Sequence, residues 1–196
     1  FCEWSLPMWK EHFPENMDGV SAEMLWRAIN QVEPSLIRVE ADEATYNLHI
    51  MIRYEVEKLL ISGELDVDDL PDAWDDMYER YLGIRSPDRK QGVLQDIHWS
   101  MGAFGYFPTY TLGNLYAAQL LVAARQDLES VGHTLEDDWR EGTFTPLLGW
   151  MREHVHGRGS ILTPAGLIEE ATGEAPTPDP FVNYLRDKIG TIYGSV

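Results

Sequence analysis

Hydrophobic positions along this chain recur mostly at helical spacing. The clearest run is residues 42–61, where Leu48, Ile52, Val56, Leu59 and Leu60 share one face and Gly63 supplies a stop. Ser21 can cap a helix to about residue 31 that carries Met24, Leu25, Ala28 and Ile29, and Pro34 breaks the chain after it. Asp68 or Asp69, followed by Pro71, opens a helix over 68–81. Its acids Asp69, Asp72, Asp75 and Asp76 sit towards the positive end of the helix dipole. Residues 108–129 read as one long helix with Leu115, Gln119, Val122 and Gln126 as a stripe, and 143–155 as another with Phe144, Leu147, Leu148 and Met151 on its apolar face. Thr163-Pro164 starts a helix that Gly173 stops, and Asp179-Pro180 starts a last one over 181–189. Residues 1–13, interrupted by Pro7 and closed by Pro14, read as a helix end. Only Leu36-Ile37-Arg38-Val39 is β-branched and extended in character. The pattern predicts an all-α, mostly helical protein with at most one short β ribbon at 36–39, in a single domain over 1–196.

One stretch departs from that pattern. Residues 92–114 read GVLQDIHWSMGAFGYFPTYTLGN, with Gly92, Gly102 and Gly105, with His98 and Trp99, and with the rings Phe104, Tyr106, Phe107 and Tyr110. Glycine lets a backbone approach a ligand or take a positive φ. A histidine and phenols beside such a backbone supply donors that can titrate or stabilise an oxyanion. The same residues also suit a Gly-kinked aromatic core turn, because buried Tyr and Trp are ordinary.

The segment Gly92-Val93-Leu94-Gln95-Asp96-Ile97-His98-Trp99 resembles the G-x-x-Q-D-x-H-W signature of the M32 metallocarboxypeptidases, the carboxypeptidase Taq family. Upstream, Ile37-Arg38-Val39-Glu40-Ala41-Asp42 resembles the family's I-R-x-x-A-D signature, in the right order and at a matching separation. The likeness runs from about Pro34 to the C-terminus. It implies a C-terminal, substrate-binding part of a mostly helical zinc peptidase, commonly homodimeric. Such an enzyme removes single residues from peptides with a free C-terminus. The family's zinc motif, H-E-x-x-H, is absent: the histidines are His12, His49, His98, His133, His154 and His156, and none forms it. Zn²⁺ is therefore expected in the intact enzyme with ligands outside these residues. The chain by itself is expected to hold no catalytic metal and to cleave no peptide. The alternative is a catalytically silent helical binding or structural module descended from the peptidase.

Within the resemblance, Arg38 is the candidate for the substrate carboxylate, which a guanidinium fork fits bidentately. On its own sequence it reads more readily as an arginine paired with Glu40, Asp42 or another acid. His98 is the candidate catalytic histidine. Tyr110, twelve residues on, is the candidate oxyanion donor, with Tyr106 as second choice. Gln95 and Asp96 are expected to hold His98 or the local backbone in place. His49 reads as a helix-surface or interhelix contact. His154 and His156, two apart, diverge on a helix and cannot share one ion there.

Charge and cysteine use narrow the partners. The formal net charge is −18, with 15 basic and 33 acidic residues, which disfavours nucleic acid or an anionic membrane as partner. The lone Cys2 excludes an internal disulfide and suits a reducing cytoplasm, so the expected location is cytoplasmic. No apolar run is long enough to span a bilayer. The chain opens on Phe1 rather than Met, which fits a piece of a longer polypeptide.

Overall fold

A computed structural model describes residues 1–194. Nine α-helices occur among them: α1 (Cys2–His12), α2 (Ala22–Ile29), α3 (Tyr46–Ser62), α4 (Leu70–Leu82), α5 (Pro108–Ser130), α6 (Leu135–Arg140), α7 (Thr145–His154), α8 (Pro164–Thr172) and α9 (Asp179–Tyr193). No strand is found among the described residues. The chain divides into two compact units, one of Asn30–Gly113 and one of Phe1–Ile29 with the chain from Asn114 onward.

The first unit is built on α3 and α4. Ile52 and Val56 of α3 meet Trp74, Tyr78 and Leu82 of α4, with Val93 closing the cluster. Removing a side chain of this kind from water stabilises by about 1.5–3 kcal/mol, so the helix pair makes a rigid floor. Gly63 ends α3 at φ +77°, and its N–H reaches the carbonyls of Leu59 and Leu60. A residue with a Cβ would be strained there.

The start of α3 differs from the sequence expectation. Asp42 is not the first helical residue. Its Oδ1 accepts from the backbone N–H groups of Ala44 and Thr45 at 2.9 Å each, and its Oδ2 accepts from the Thr45 hydroxyl at 2.9 Å and the Glu33 N–H at 3.1 Å. Asp42 thus organises the turn that leads into α3.

The expected ribbon at 36–39 is replaced by a 3-10 turn, Arg38–Glu40. Its partner is a side chain, not a strand. The Leu36 carbonyl accepts from Gln95 Nε2 at 3.0 Å, and the Arg38 N–H donates to Gln95 Oε1 at 3.0 Å. One carboxamide therefore satisfies the two backbone groups flanking Ile37, the pair that a neighbouring strand would engage.

In the second unit, Ala124 of α5, Trp150 of α7 and Ala171 of α8 form the centre, backed by Leu120, Leu147 and Met151. Trp150 donates its indole N–H to Asp127 at 2.8 Å. The stripe residue Gln119 is buried and fully used: Nε2 reaches Thr172 Oγ1, Glu174 O and Ala175 O at 3.2 Å each, and Oε1 accepts from the Thr177 N–H at 3.1 Å. Short α6 escapes the periodicity reading, because one turn and a half carries too few apolar positions to show a period. Leu135 alone anchors it in the interior. No described helix is long and apolar enough to cross a membrane.

Candidate functional site

The chemistry-bearing residues of the first unit centre on Asp96. The chain reaches Asp96 from Gly92 through a run of turns, and Gln95 fixes that run by donating to the carbonyls of Gln91 at 3.0 Å and Gly92 at 3.2 Å. Asp96 Oδ1 accepts from Arg38 Nη2 at 2.7 Å and Nε at 3.1 Å, while Oδ2 accepts from Arg53 Nε at 2.6 Å. Arg38 stands at the head of the 3-10 turn and Arg53 on α3, and both are buried.

Arg53 uses its other nitrogens as fully. Nη1 donates to the His49 carbonyl at 2.8 Å and to Tyr78 Oη at 3.2 Å, and Nη2 donates to Gln95 Oε1 at 2.8 Å. Arg38 Nη1 reaches Tyr46 Oη at 3.1 Å. Burial alone would push the Asp96 carboxyl up, yet the hydrogen bonds and charges of Arg38 and Arg53 together hold it below the usual carboxylate value. Burial likewise opposes the Arg38 charge, and the bond to Asp96 outweighs it, so that guanidinium is more firmly protonated than usual.

Two guanidiniums meet one carboxylate by direct contact, which gives this contact group an excess of positive charge that Asp42 partly offsets from further off. His49 does not add to it. Burial, and then the charges of Arg53 and Arg38, lower His49 to about 4, so near neutrality it is uncharged. Its Nδ1 lies 3.0 Å from Tyr78 Oη, an interhelix contact between α3 and α4. Tyr78 is itself pushed up by burial.

His98 borders this cationic group. Its Nε2 lies 3.0 Å from Tyr110 Oη, and its Nδ1 lies 3.7 Å from Asp96 Oδ1, beyond hydrogen-bond reach. The ring packs on Phe107 with centroids 4.4 Å apart, and Tyr106 flanks it at 5.7 Å. Tyr106 is exposed, whereas Phe107 is buried. The Arg38 guanidinium sits 4.9 Å over the Tyr110 ring, a distance at which cation and ring attract.

The structure thus brings Arg38, Gln95, Asp96, His98, Tyr106 and Tyr110 into one neighbourhood. It also gives Arg38 an acid partner, and that partner is Asp96 rather than Glu40 or Asp42. Sequence reasoning missed Arg53, Tyr46 and Tyr78. A signal was present: Tyr46, His49 and Arg53 fall at i, i+3 and i+7 on α3, so one face of that helix carries polar groups into the interior. His154 ends α7 stacked on Trp150 at 4.5 Å, and His156 begins the turn after it. Among the described residues no group of three or more His, Cys, Asp or Glu side chains could hold a metal ion.

The architecture is a helical metallopeptidase fold. It superposes on the crystal structure of the M32 carboxypeptidase from Deinococcus radiodurans with a TM-score of 0.91 at 45% identity, over 98% of this chain and 38% of that one. The chain is 49% identical over 196 residues to thermostable carboxypeptidase 1 of Thermus thermophilus, covering 97% of this chain and 38% of that protein. It is 44% identical to carboxypeptidase 1 of Bacillus subtilis, over 94% of this chain and 36% of that protein. Residues 1–189 match the model of the carboxypeptidase Taq (M32) metallopeptidases. The chain belongs to this family. It spans little more than a third of the length of these relatives and matches their C-terminal part.

Proposed function

We propose that these residues are the substrate-binding part of a zinc carboxypeptidase that hydrolyses single residues from peptide C-termini. The observation that carries the reading is the His98–Tyr110 pair, 3.0 Å apart, set beside the cationic group of Arg38, Asp96 and Arg53. The described residues do not fit a resident metal, so only their own chemistry enters here. A peptide carboxylate is drawn to the surplus positive charge, with Arg38 as the residue nearest the phenol that would meet substrate. As the scissile carbonyl gains negative charge, a hydroxyl from Tyr110 donates to it, and Tyr106 is the second candidate. His98 orients the Tyr110 hydroxyl, and Gln95 and Asp96 hold the segment that carries His98.

Single-domain behaviour over 1–196, a cytoplasmic location and a homodimeric parent belong to the same proposal. The first rests on chain length, the second on the lone cysteine and the third on the family. The test is a pair of assays on a peptide with a free C-terminus. The intact parent is expected to release C-terminal amino acids in a zinc-dependent manner, and the chain alone is not. A parent that binds no zinc and releases nothing would overturn the reading in favour of a silent helical module.

A further inference from the structure

We propose that Glu57 is a positioning residue that holds His98 and Tyr110 in register by pinning the loop between them. Glu57 lies on α3, one turn beyond Arg53, and is 6% exposed. Its Oε2 accepts from the indole Nε1 of Trp99 at 2.7 Å, and its Oε1 accepts from the backbone N–H of Gly105. Both partners can only donate. A carboxylate is the side chain that offers two acceptors and no donor, so it alone satisfies both at once.

The two anchor points bracket the loop. Trp99 follows His98 directly. Gly105 takes φ +77°, the turn from which Tyr106 and Phe107 lead into α5. Trp99 meets Phe107 edge-on at 5.9 Å, and Phe107 is the surface on which the His98 ring rests at 4.4 Å. Holding Trp99 therefore fixes the wall behind His98. Holding Gly105 fixes the launch of the helix that carries Tyr110 in its first turn. An apolar side chain at this position would leave both donors without an acceptor, so the carboxylate ties the two points together through one rigid helix. Control of geometry is what it supplies.

The kinetic side of this inference rests on the function proposed above; the structural side does not. Two experiments separate them. In the 196-residue chain, Glu57→Gln keeps volume and shape but turns an amide NH2 towards one donor. In ¹⁵N spectra the Trp99 indole N–H, assigned with Trp99→Phe, is expected to move upfield. Exchange of the Gly105 amide is expected to rise at least tenfold, and the cross-peaks between the His98 and Tyr110 rings to weaken. Unchanged Gly105 exchange with unchanged His98–Tyr110 cross-peaks overturns the inference. In the intact parent, Glu57→Gln is expected to lower kcat about tenfold to a hundredfold with KM within twofold, as a displacement near 1 Å does. A loss that merely follows the unfolded fraction would make Glu57 structural only and overturn the positioning role. If instead His98→Ala and Tyr110→Phe leave hydrolysis unchanged, the proposed function fails, and the spectra still decide the place of Glu57.

Discussion

Arg53 and Asp96 face each other at 2.6 Å, and Arg53 has no surface open to solvent. A charge so enclosed survives only because each of its nitrogens has an oxygen to meet. Replacing Arg53 by Met is expected to cost about 3–5 kcal/mol, the range for breaking a buried pair by removing one partner. Urea unfolding measures it as a lower midpoint at unchanged slope. A double-mutant cycle with Asp96→Asn is expected to return a coupling of at least about 1 kcal/mol, and additive losses would count against direct pairing.

Tyr110 donates one hydroxyl in the proposed reaction, and phenylalanine keeps the ring on which Arg38 rests. Tyr110→Phe in the intact parent is expected to lower kcat by about 10²–10³, equivalent to about 2.7–4 kcal/mol. Tyr106→Phe is expected to change it far less. Steady-state kinetics on a short peptide check both, and a reversed order would move the donor role to Tyr106.

Acid is expected to destabilise the protein in two stages. His49 falls from an ordinary 6.5 to about 4 in the folded state, through burial first and then the two arginines. Between those values the unfolded chain takes up a proton that the folded chain refuses. Stability from this source is full above 6.5 and declines as pH falls towards 4, by roughly 3 kcal/mol for a shift of this size. Asp96, held below 3.8, gives way at lower pH still. Unfolding midpoints between pH 7 and about 4.5 test the first stage. His49→Asn, which keeps a polar atom near the Tyr78 hydroxyl, is expected to flatten the slope.

Gln95 cannot be replaced by its acid. A glutamate at this position would lose the Nε2 donor that serves Leu36, Gln91 and Gly92 and would set negative charge against three carbonyls. Gln95→Glu is expected to destabilise by about 1–3 kcal/mol, and more if the acid stays ionised. Thermal unfolding checks the size, and a neutral outcome would remove Gln95 from the frame of the site.

Extensively dialysed chain is expected to carry zinc far below one ion per molecule. A catalytic site needs about three protein ligands and an open position. Stoichiometric zinc by elemental analysis would reveal a ligand set that the described side chains do not form.

Much of the frame was legible in the sequence, because long helices advertise their faces. The stripe Leu48, Ile52, Val56 on α3 and the Thr163 cap of α8, whose hydroxyl accepts from Gly166, appear as the spacing implies. The extended character expected over 36–39 holds at Ile37 but gives way to the 3-10 turn at Arg38, and the segment's partner was not legible. Local propensity records a preference for strand, and cannot say that a single carboxamide 59 residues away will take the neighbour's place. Arg38, Gln95, Asp96 and His98 were legible through two short signatures, and Tyr106 and Tyr110 through the aromatic run that follows the second. Arg53, Tyr46, Tyr78 and Glu57 belong to neither signature. Each is a polar group on a helix, and its role depends on partners about 8 to 48 positions distant.

The junction of Arg38 with Asp96 also bears on the order in which the chain acquires its structure. These residues are 58 positions apart, whereas α3 and α4 adjoin in sequence and meet through a short connection. Closing a long loop before any contact rewards it is slow, so the helix hairpin is expected to collapse first and the guanidinium–carboxylate clasp afterwards. The clasp is then expected to close last, so a chain whose distant segments have not met leaves both of these charges without the partner that the folded state gives them.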